Sequence, residues 1–304
     1  MPGRETEDPV AMRWIAWQFA SGNAFFAGVA LLLVAAGLSL GSRRPAARRV
    51  SRVAAPLAAL FIVLSATPLP AWVYAAWAVP VIWLMYELLG APGERTWRRV
   101  VAPAAVIAAS AAATALEVPR HLPVGAGVGR PLRIVVIGDS LSAGTARDRV
   151  TWPQLLADRH GVEVVDRSEP GLTQGPAVKR AQELDPGRYE DAVVVLQIGG
   201  NDLLAQREIA RFESTLDELL GVVGRPSNTV ILLELPLPPF NNAYGRVQRM
   251  LAARHGALLA PKRVLAGVLW QPDATTDGIH LSPTGHRLMA ETMWSLITAP
   301  RRGG

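Results

Sequence analysis

The chain has 304 residues, a formal net charge of +6, 50% hydrophobic residues and no cysteine. Without cysteine, disulfides, thiolate catalysis and zinc sites built on sulfur are excluded. Residues 1–129 carry 11 Lys and Arg against 6 Asp and Glu, whereas the rest of the chain carries 20 against 19. Because the excess positive charge belongs to the apolar half and not to a basic folded domain, nucleic acid is not an expected partner.

Uncharged stretches dominate residues 1–118. The first, between Arg13 and Arg43, has 29 residues, and a helix needs about 20 apolar residues to cross the hydrocarbon core of a membrane. The next, 53–86, is divided by Thr67-Pro68-Leu69-Pro70, which favours a turn. The sequence therefore predicts a transmembrane anchor over 1–118, with the lipid bilayer as a partner and about four helices, at 14–40, 53–68, 71–89 and 100–117.

The placement of arginine predicts the orientation of this anchor. Five arginines lie in the first connection and three in the third: Arg43, Arg44, Arg48, Arg49, Arg52, Arg95, Arg98 and Arg99. The positive-inside rule puts them in the cytoplasm of a bacterial-type inner or plasma membrane, so four spans leave the C-terminal half outside. The segment 100–117 is the weakest span, since it contains Pro103; without it the C-terminal half would face the cytoplasm. A cleaved signal peptide is disfavoured, because the first apolar segment is too long.

Residues 131–298 have the pattern of an α/β domain, after a linker at 119–130 rich in Pro and Gly and before a tail at 299–304. Strand-like runs at 132–137, 162–166, 192–198, 229–235 and 257–259 alternate with helical segments at 152–160, 175–184, 206–223, 244–255 and 284–297. Continuous apolar runs such as Ala192-Val193-Val194-Val195-Leu196 favour burial on both faces. That burial is typical of a parallel sheet between two layers of helices, whose active sites gather at the carboxyl ends of the strands.

Two motifs in this domain supply a nucleophile and a base. Gly138-Asp139-Ser140-Leu141 follows the first strand, and a tight turn there would expose the Ser140 hydroxyl at the edge of the sheet. In Asp277-Gly278-Ile279-His280, the carboxylate precedes the imidazole by three residues, so one turn can join them. We expect His280 to remove the serine proton and Asp277 to orient His280, which are the roles that acyl transfer requires. A metal site of Asp277, His280 and His286 is disfavoured, because no further ligand clusters with them.

Three groups are candidates for stabilising a tetrahedral oxyanion. They are the N–H of Ser140, the N–H of Gly171 after the second strand, and the side-chain amide of Asn201 after the third. Each residue is also compatible with an ordinary turn. Because the three follow successive strands of one predicted sheet, we expect them at the same edge, where such donors would stabilise the transition state.

Together these motifs resemble the GDSL/SGNH hydrolase family. Four blocks match in order over about residues 131–298: Gly138-Asp139-Ser140-Leu141, Gly171, Gly199-Gly200-Asn201-Asp202 and Asp277-Gly278-Ile279-His280-Leu281-Ser282-Pro283. The resemblance implies a flavodoxin-like, three-layer α/β/α fold with a parallel sheet, and ester hydrolysis without a cofactor. It also implies Ser140 as nucleophile, His280 as base and Asp277 as its orienter. The implied oxyanion hole is formed by Ser140, Gly171 and Asn201, with Gly138, Asp139, Gly199 and Asp202 as supporting residues.

One block departs from the family pattern. The family usually has an asparagine shortly before the glycine of the second block, whereas this chain reads Asp166-Arg167-Ser168-Glu169-Pro170 before Gly171. The departure concerns the local turn more than the chemistry. The membrane helices lie outside the part of the chain that the resemblance covers.

The expected function is that of a membrane-anchored serine esterase outside the cytoplasm. The substrates expected first are acyl esters, especially acetyl esters, of envelope or extracellular carbohydrate. Lipid esters such as lysophospholipids rank second, because the domain has no long basic amphipathic helix for binding a lipid surface. An acyltransferase would need a partner protein, which the sequence does not indicate. A non-catalytic binding module is disfavoured because all the expected polar groups are present.

Overall fold

A computed structural model describes residues 9–41, 44–90, 96–123, 125–145 and 150–301. Outside these ranges lie residues 1–8 of the predicted anchor, Arg43, Arg95, Val124 of the predicted linker and residues 302–304 of the predicted tail. The chain divides into two compact units, each with its own buried apolar cluster. The helical unit comprises Met1–His121 with Leu237–Asn242, and the α/β unit comprises Leu122–Pro236 with Ala243–Gly304.

The helical unit is built from long apolar helices. Its helices are α1 (Pro9–Ala20), α2 (Asn23–Gly41), α3 (Pro45–Leu64), α4 (Ala71–Leu89) and α5 (Thr96–His121). Side chains such as Phe25, Leu32, Trp77, Leu84 and Val106 are buried between them. By length and composition, α2, α4 and the part of α5 from Trp97 onwards are apolar enough to cross a membrane.

The first predicted helix, 14–40, is two helices. α1 ends at Ala20 and α2 begins at Asn23. Between them Gly22 has a φ of +84°, a backbone conformation that glycine adopts without steric cost. No charge marks this break in the sequence, so a search for uncharged segments does not find it.

The arginines predicted in the first connection lie partly on a helix. α3 starts eight residues before the predicted segment 53–68 and ends four residues before its predicted end. Arg48 Nη2 donates to the Glu87 carbonyl oxygen at 2.9 Å, and Arg52 Nε donates to the Leu88 carbonyl oxygen at 2.6 Å. These bonds satisfy the last carbonyl groups of α4 and bring positive charge to the negative end of its dipole. Arginine is also a good helix former, so the helix extends through this basic stretch.

The last helix of the unit is longer than predicted. α4 has the predicted bounds, whereas α5 extends beyond 100–117 at both ends and includes the first three residues of the predicted linker 119–130. Pro119 lies in the last turn of α5. A proline there removes one N–H donor, and the helix still continues to its end two residues later.

The α/β unit contains the predicted parallel sheet. Its strands are β1 (Arg133–Gly138), β2 (Glu163–Asp166), β3 (Ala192–Gln197), β4 (Thr229–Leu233) and β5 (Leu258–Ala260). They are ordered β2-β1-β3-β4-β5, and every adjacent pair is parallel. This order is that of flavodoxin-like, doubly wound sheets, in which ligands bind where the strand order reverses. The reversal here lies between β1 and β3, beyond the carboxyl ends of both strands.

Helices flank this sheet, and three of them are absent from the sequence-based interpretation. The predicted helices correspond to α7 (Trp152–His160), α8 (Gln174–Gln182), α10 (Ile209–Val223), α11 (Asn242–Arg254) and α13 (Pro283–Thr298). The additional ones are α6 (Ser140–Ala143), α9 (Gly200–Leu204) and α12 (Lys262–Leu269). They are short, with four, five and eight residues, so helical periodicity is difficult to detect in them.

Candidate active site

Ser140 lies at a tight turn between β1 and α6. Asp139 caps α6, since its Oδ1 accepts the N–H of Leu141 at 3.0 Å, and Ser140 is the first helical residue. The Ser140 side chain is partly exposed. A β-carbon on Gly138 would overlap the Ser142 side chain and lie 3.0 Å from Gln197 Oε1, so this turn requires glycine. The predicted nucleophile is therefore held at the carboxyl edge of the sheet.

The charge environment of Asp139 connects three of the motif blocks. Burial raises the pKa of this carboxyl group, and hydrogen bonds from Leu141 and Gln197 oppose that rise. The His280 imidazole also lowers the pKa of Asp139, and the Asp202 carboxylate raises it. Both groups therefore lie within electrostatic range of the residue next to Ser140.

The Gly171 loop is bonded to the end of β1. The N–H of Glu169 donates to the carbonyl oxygen of Gly138 at 3.0 Å. Asp166 Oδ1 accepts the N–H of Ser168 at 2.9 Å, so Asp166 shapes the turn at the block that departs from the family pattern. Gly171 has a φ of +77° and is exposed. Its N–H donates to no other described residue, so it is available to a ligand.

Asn201 lies beside this loop, on α9. Its Nδ2 donates to the carbonyl oxygen of Leu172 at 3.0 Å, which uses one of its two amide hydrogens. A β-carbon on Gly200 would lie 3.2 Å from Asp139 Oδ2, so α9 also approaches the Ser140 turn closely. The structure thus brings the three predicted oxyanion-hole residues to one edge of the sheet.

His280 and Asp277 form the predicted pair. Asp277 Oδ2 and His280 Nδ1 are 2.6 Å apart, and Asp277 Oδ1 accepts the N–H groups of His280 and Ile279 at 2.8 and 3.0 Å. The bond to the imidazole is the largest of the causes that hold the pKa of Asp277 well below its ordinary range. A carboxylate at Nδ1 favours the tautomer whose proton is on Nδ1, which leaves Nε2 as the acceptor.

One contact of the predicted triad is not formed. Within the described ranges, Ser140 Oγ makes no hydrogen bond to His280. Hydrogen bonds between a nucleophile and its base are often long in the absence of substrate and shorten when substrate binds. The structure therefore contains the predicted base bonded to its predicted orienter, and the predicted nucleophile at the same edge, but no bond between Ser140 and His280.

His286 has a structural contact. It is buried, and its Nδ1 accepts the N–H of Trp152 at 3.2 Å, at the first turn of α7. The part of the chain that the structure describes contains no group of three or more His, Cys, Asp or Glu side chains arranged to hold a metal ion.

Gln197 is a site residue that sequence reasoning missed. It ends the apolar strand β3 and is buried, and its Oε1 accepts the N–H of Asp139 at 3.3 Å and the Ser142 hydroxyl at 3.0 Å. Gln197 thus holds the turn that presents Ser140. A single polar residue at the carboxyl end of a strand with two buried faces is the signal that identifies it.

A comparison with known protein families identifies the family of this part of the chain. The model of the GDSL-like Lipase/Acylhydrolase family matches residues 136–288, half of the chain and all of the site described above. The chain belongs to this family. It is therefore an ester-hydrolysing serine hydrolase.

Individual relatives match over about half of the chain. The chain is 28% identical to "Thioesterase 1/protease 1/lysophospholipase L1" of Escherichia coli over 177 residues, which cover 53% of this chain and 80% of the relative. It is 29% identical to "Esterase TesA" of Pseudomonas aeruginosa, covering 54% of this chain and 87% of the relative. A crystal structure of TesA aligns with a TM-score of 0.49 at 28% identity, covering 54% of this chain and 97% of that one.

Proposed function

We propose that Ser140, His280 and Asp277 hydrolyse carboxylic esters through a covalent acyl-enzyme. The main support for this proposal is the 2.6 Å contact between Asp277 Oδ2 and His280 Nδ1, which leaves Nε2 facing away from the carboxylate as a proton acceptor. In the first step Nε2 takes the proton of Ser140 while Oγ attacks the ester carbonyl carbon. The tetrahedral intermediate then collapses, and the leaving alcohol receives the proton from His280. Water, deprotonated by His280, attacks the acyl-enzyme and releases the acid and free Ser140.

The proposed oxyanion hole consists of three N–H donors. They are the backbone N–H of Ser140, the backbone N–H of Gly171 and the second Nδ2 hydrogen of Asn201. Neither backbone N–H donates to another described residue, and Asn201 uses one amide hydrogen on Leu172. Donors that are preorganised in this way stabilise the charge that develops in the transition state, and removal of one costs about 10²- to 10³-fold in kcat.

Esters with an apolar acyl chain are the better-supported substrate class. Two exposed apolar side chains lie close in sequence to proposed site residues: Leu204, three residues after Asn201, is 69% exposed, and Ile279, directly before His280, is 52% exposed. One relative's name includes thioesterase and lysophospholipase. This order reverses the sequence-based one, in which acetyl esters of envelope or extracellular carbohydrate come first. Short acyl esters of carbohydrate remain the second candidate.

We further propose that the helical unit crosses a membrane four times. α3 is absent from the apolar candidates among the described helices, but its start bonds to the end of α4 through Arg48 and Arg52, and residues 65–70 join their other ends. α3 therefore runs antiparallel to α4 along its length, and a membrane that α4 crosses is crossed by α3 as well. Trp77 Nε1 and Ser110 Oγ, 3.1 Å apart, join α4 to α5.

This arrangement supports an orientation for the chain. The arginines near the start of α3 and the start of α5 lie at one end of the helices, beside the end of α4. The positive-inside rule assigns that end to the cytoplasm. α5 then ends on the other side, so the α/β unit that follows is extracytoplasmic. A reporter fused to the C-terminus is expected to be active outside the cytoplasm; activity only inside would reject this orientation.

The catalytic proposal is tested with the full-length protein in detergent and p-nitrophenyl esters. Ser140→Ala is expected to abolish turnover, because no other hydroxyl takes its place in the proposed mechanism. Ser214→Ala is the matched control, since Ser214 is an exposed hydroxyl on α10 that bonds only to its own helix. Equal rates for Ser140→Ala and the wild type would overturn the assignment of the nucleophile.

The substrate class is tested by varying the acyl chain from acetate to octanoate. A binding surface that buries the chain gains about 0.8 kcal/mol per CH₂, so kcat/KM is expected to rise with chain length. A steady fall from acetate to octanoate would favour short acyl groups on carbohydrate instead.

A further inference from the structure

Two hydrogen bonds connect the Gly171 loop to α9, and both lie next to proposed oxyanion donors. Asn201 Nδ2 donates to the carbonyl oxygen of Leu172 at 3.0 Å. Asp202 Oδ2 accepts the N–H of Gln174, also at 3.0 Å. In the first bond, the donor Asn201 is itself a proposed oxyanion donor. In the second bond, the acceptor Asp202 directly follows Asn201 in the chain, and the donor Gln174 lies three residues after Gly171.

Asp202 is a buried carboxylate. It is 3% exposed, although it belongs to a helix of five residues. Burial raises the pKa of Asp202, and the N–H of Gln174 is the largest of the causes that oppose the rise, ahead of the Arg207 guanidinium. Arg207 Nε lies 3.6 Å from Asp202 Oδ1. The buried carboxyl group is therefore bonded to one specific backbone N–H.

We propose that Asp202 is a positioning residue, which sets the separation of the Gly171 and Asn201 donors of the oxyanion hole. This inference rests on the proposed function. The loop is held to the end of β1 by the Glu169 N–H, but the Asn201 bond alone would join it to α9 at one point only. The second bond, from Gln174 to Asp202, defines how the loop is oriented against α9. Asp202 touches neither substrate nor reacting atoms in this role. Its effect is on the geometry of donors that act in the transition state.

The consequence for kinetics is specific. If the two donors separate or tilt, the transition state loses stabilisation while the ground-state ester, which needs little from them, still binds. Loss of the Asp202 bond is therefore expected to lower kcat and leave KM nearly unchanged. A residue that only maintains the fold would instead reduce the amount of folded enzyme, and the folded fraction would turn over at the normal rate.

The experiment compares two variants that remove the same bond from opposite sides. Asp202→Ala removes the acceptor. Gln174→Pro removes the donor, and proline is compatible there because Gln174 is the first residue of α8 and Thr173, with φ −106° and ψ 170°, is already extended. Asp202→Asn keeps an oxygen that accepts the N–H of Gln174. Asn228→Ala is the control for stability, because Asn228 also anchors a loop but lies before β4, at the other edge of the sheet.

We expect kcat on p-nitrophenyl butyrate to fall about 10- to 100-fold in both variants, less than the loss of a whole donor, with KM within twofold of the wild type. The affinity for phenylboronic acid, which forms a tetrahedral adduct with an active-site serine, is expected to fall in parallel. Asp202→Asn is expected to restore most of kcat, and Asn228→Ala to lower the melting temperature without changing kcat.

The outcomes separate this inference from the proposed function. If Ser140→Ala is inactive but Gln174→Pro has wild-type kcat and boronate affinity, Asp202 is not a positioning residue and the catalytic assignment stands. If Ser140→Ala is active, the catalytic assignment itself fails. Should Asp202→Ala not fold, the Gln174→Pro result decides, since that substitution leaves α9 intact.

Discussion

Gly285 offers a sensitive test of how the catalytic loop is held. This glycine lies in the first turn of α13, and a β-carbon there would overlap the carbonyl oxygen of Ala274 and lie 3.0 Å from its carbonyl carbon. The same carbonyl accepts the N–H of Ser282 at 2.9 Å. This hydrogen bond and the β-bridge between Thr275 and Leu281 close the loop that carries His280, the proposed base, and Asp277, its proposed orienter. Gly285→Ala therefore pushes directly on the catalytic loop.

The size of the effect follows from the overlap. A β-carbon and a carbonyl oxygen essentially never approach within 3.0 Å, so the loop must move by about 1 Å, and a displacement of that size in catalytic groups costs about 10²-fold in rate. That factor corresponds to about 2.7 kcal/mol of transition-state stabilisation. Overpacking of the buried contact is expected to lower the free energy of unfolding by a further 1–3 kcal/mol or so.

The assay measures kcat/KM on a p-nitrophenyl ester and the thermal midpoint of the same preparation. Gly267→Ala is the matched control: it lies within α12, and a β-carbon there meets nothing within 4 Å. This control is expected to keep wild-type activity and gain about 0.5–1 kcal/mol in stability from the better helix former. Wild-type kcat/KM in Gly285→Ala would refute the coupling between this contact and the catalytic loop.

Three further predictions concern charge. Glu234 is buried, and its carboxylate lies 2.6 Å from Arg249 Nε. Arg249→Met removes that partner, so we expect the free energy of unfolding, measured in urea, to fall by about 3–5 kcal/mol. Arg159→Met is the control at an exposed ion pair, and it is expected to change stability by about 1 kcal/mol or less. Burial raises the pKa of Asp139 above its ordinary value of 3.8. The folded protein therefore binds the carboxyl proton more tightly than the unfolded protein does, and the free energy of unfolding falls as the pH rises above that ordinary value. Asp139→Asn is expected to remove that part of the slope, which begins as the pH rises above about 4, and an unchanged slope would contradict it. Asp277→Asn keeps an oxygen for two backbone N–H groups but not the carboxylate at Nδ1, so kcat is expected to fall about 10²- to 10⁴-fold with an unchanged melting temperature; retention of wild-type kcat would argue against Asp277 as orienter.

The sheet was predictable because its three central strands, β1, β3 and β4, are buried on both faces. A run such as Ala192–Gln197 has no alternation that would favour an antiparallel sheet, and the turn-forming blocks that follow β1 and β3 end the strands at the right place. The parallel five-stranded sheet is confirmed. The short helices α6 and α9 were not predictable by periodicity, since each is little more than one turn.

The helical unit was harder to read from sequence. Charge marks the ends of apolar segments only when charged side chains lack partners within the helices. Arg48 and Arg52 have such partners on the end of α4, so they belong to α3 and not to the predicted loop. The break at Gly22 depends on one φ angle, and no charge pattern records that angle.

For the site, proximity in sequence decided what could be predicted. The Asp277–His280 bond spans three residues, so one turn suffices to form it, and it is confirmed. The roles of these residues stay predictions. The contribution of Gln197 depends on the parallel pairing of β1 with β3, which brings residues 58 positions apart into hydrogen-bonding distance. The sequence marks Gln197 as a polar residue at the end of a buried strand, but its bond to Asp139 follows only from the register of the two strands.

Because the proposed base and its carboxylate belong to a single turn, any motion of that turn carries both groups together. The imidazole keeps the same proton on the same nitrogen whether the turn is near the nucleophile or withdrawn from it. Resting and reactive forms of the enzyme would then differ in one translation, with no tautomer exchange between them. A ligand that draws the turn inward would complete the catalytic machinery in one movement.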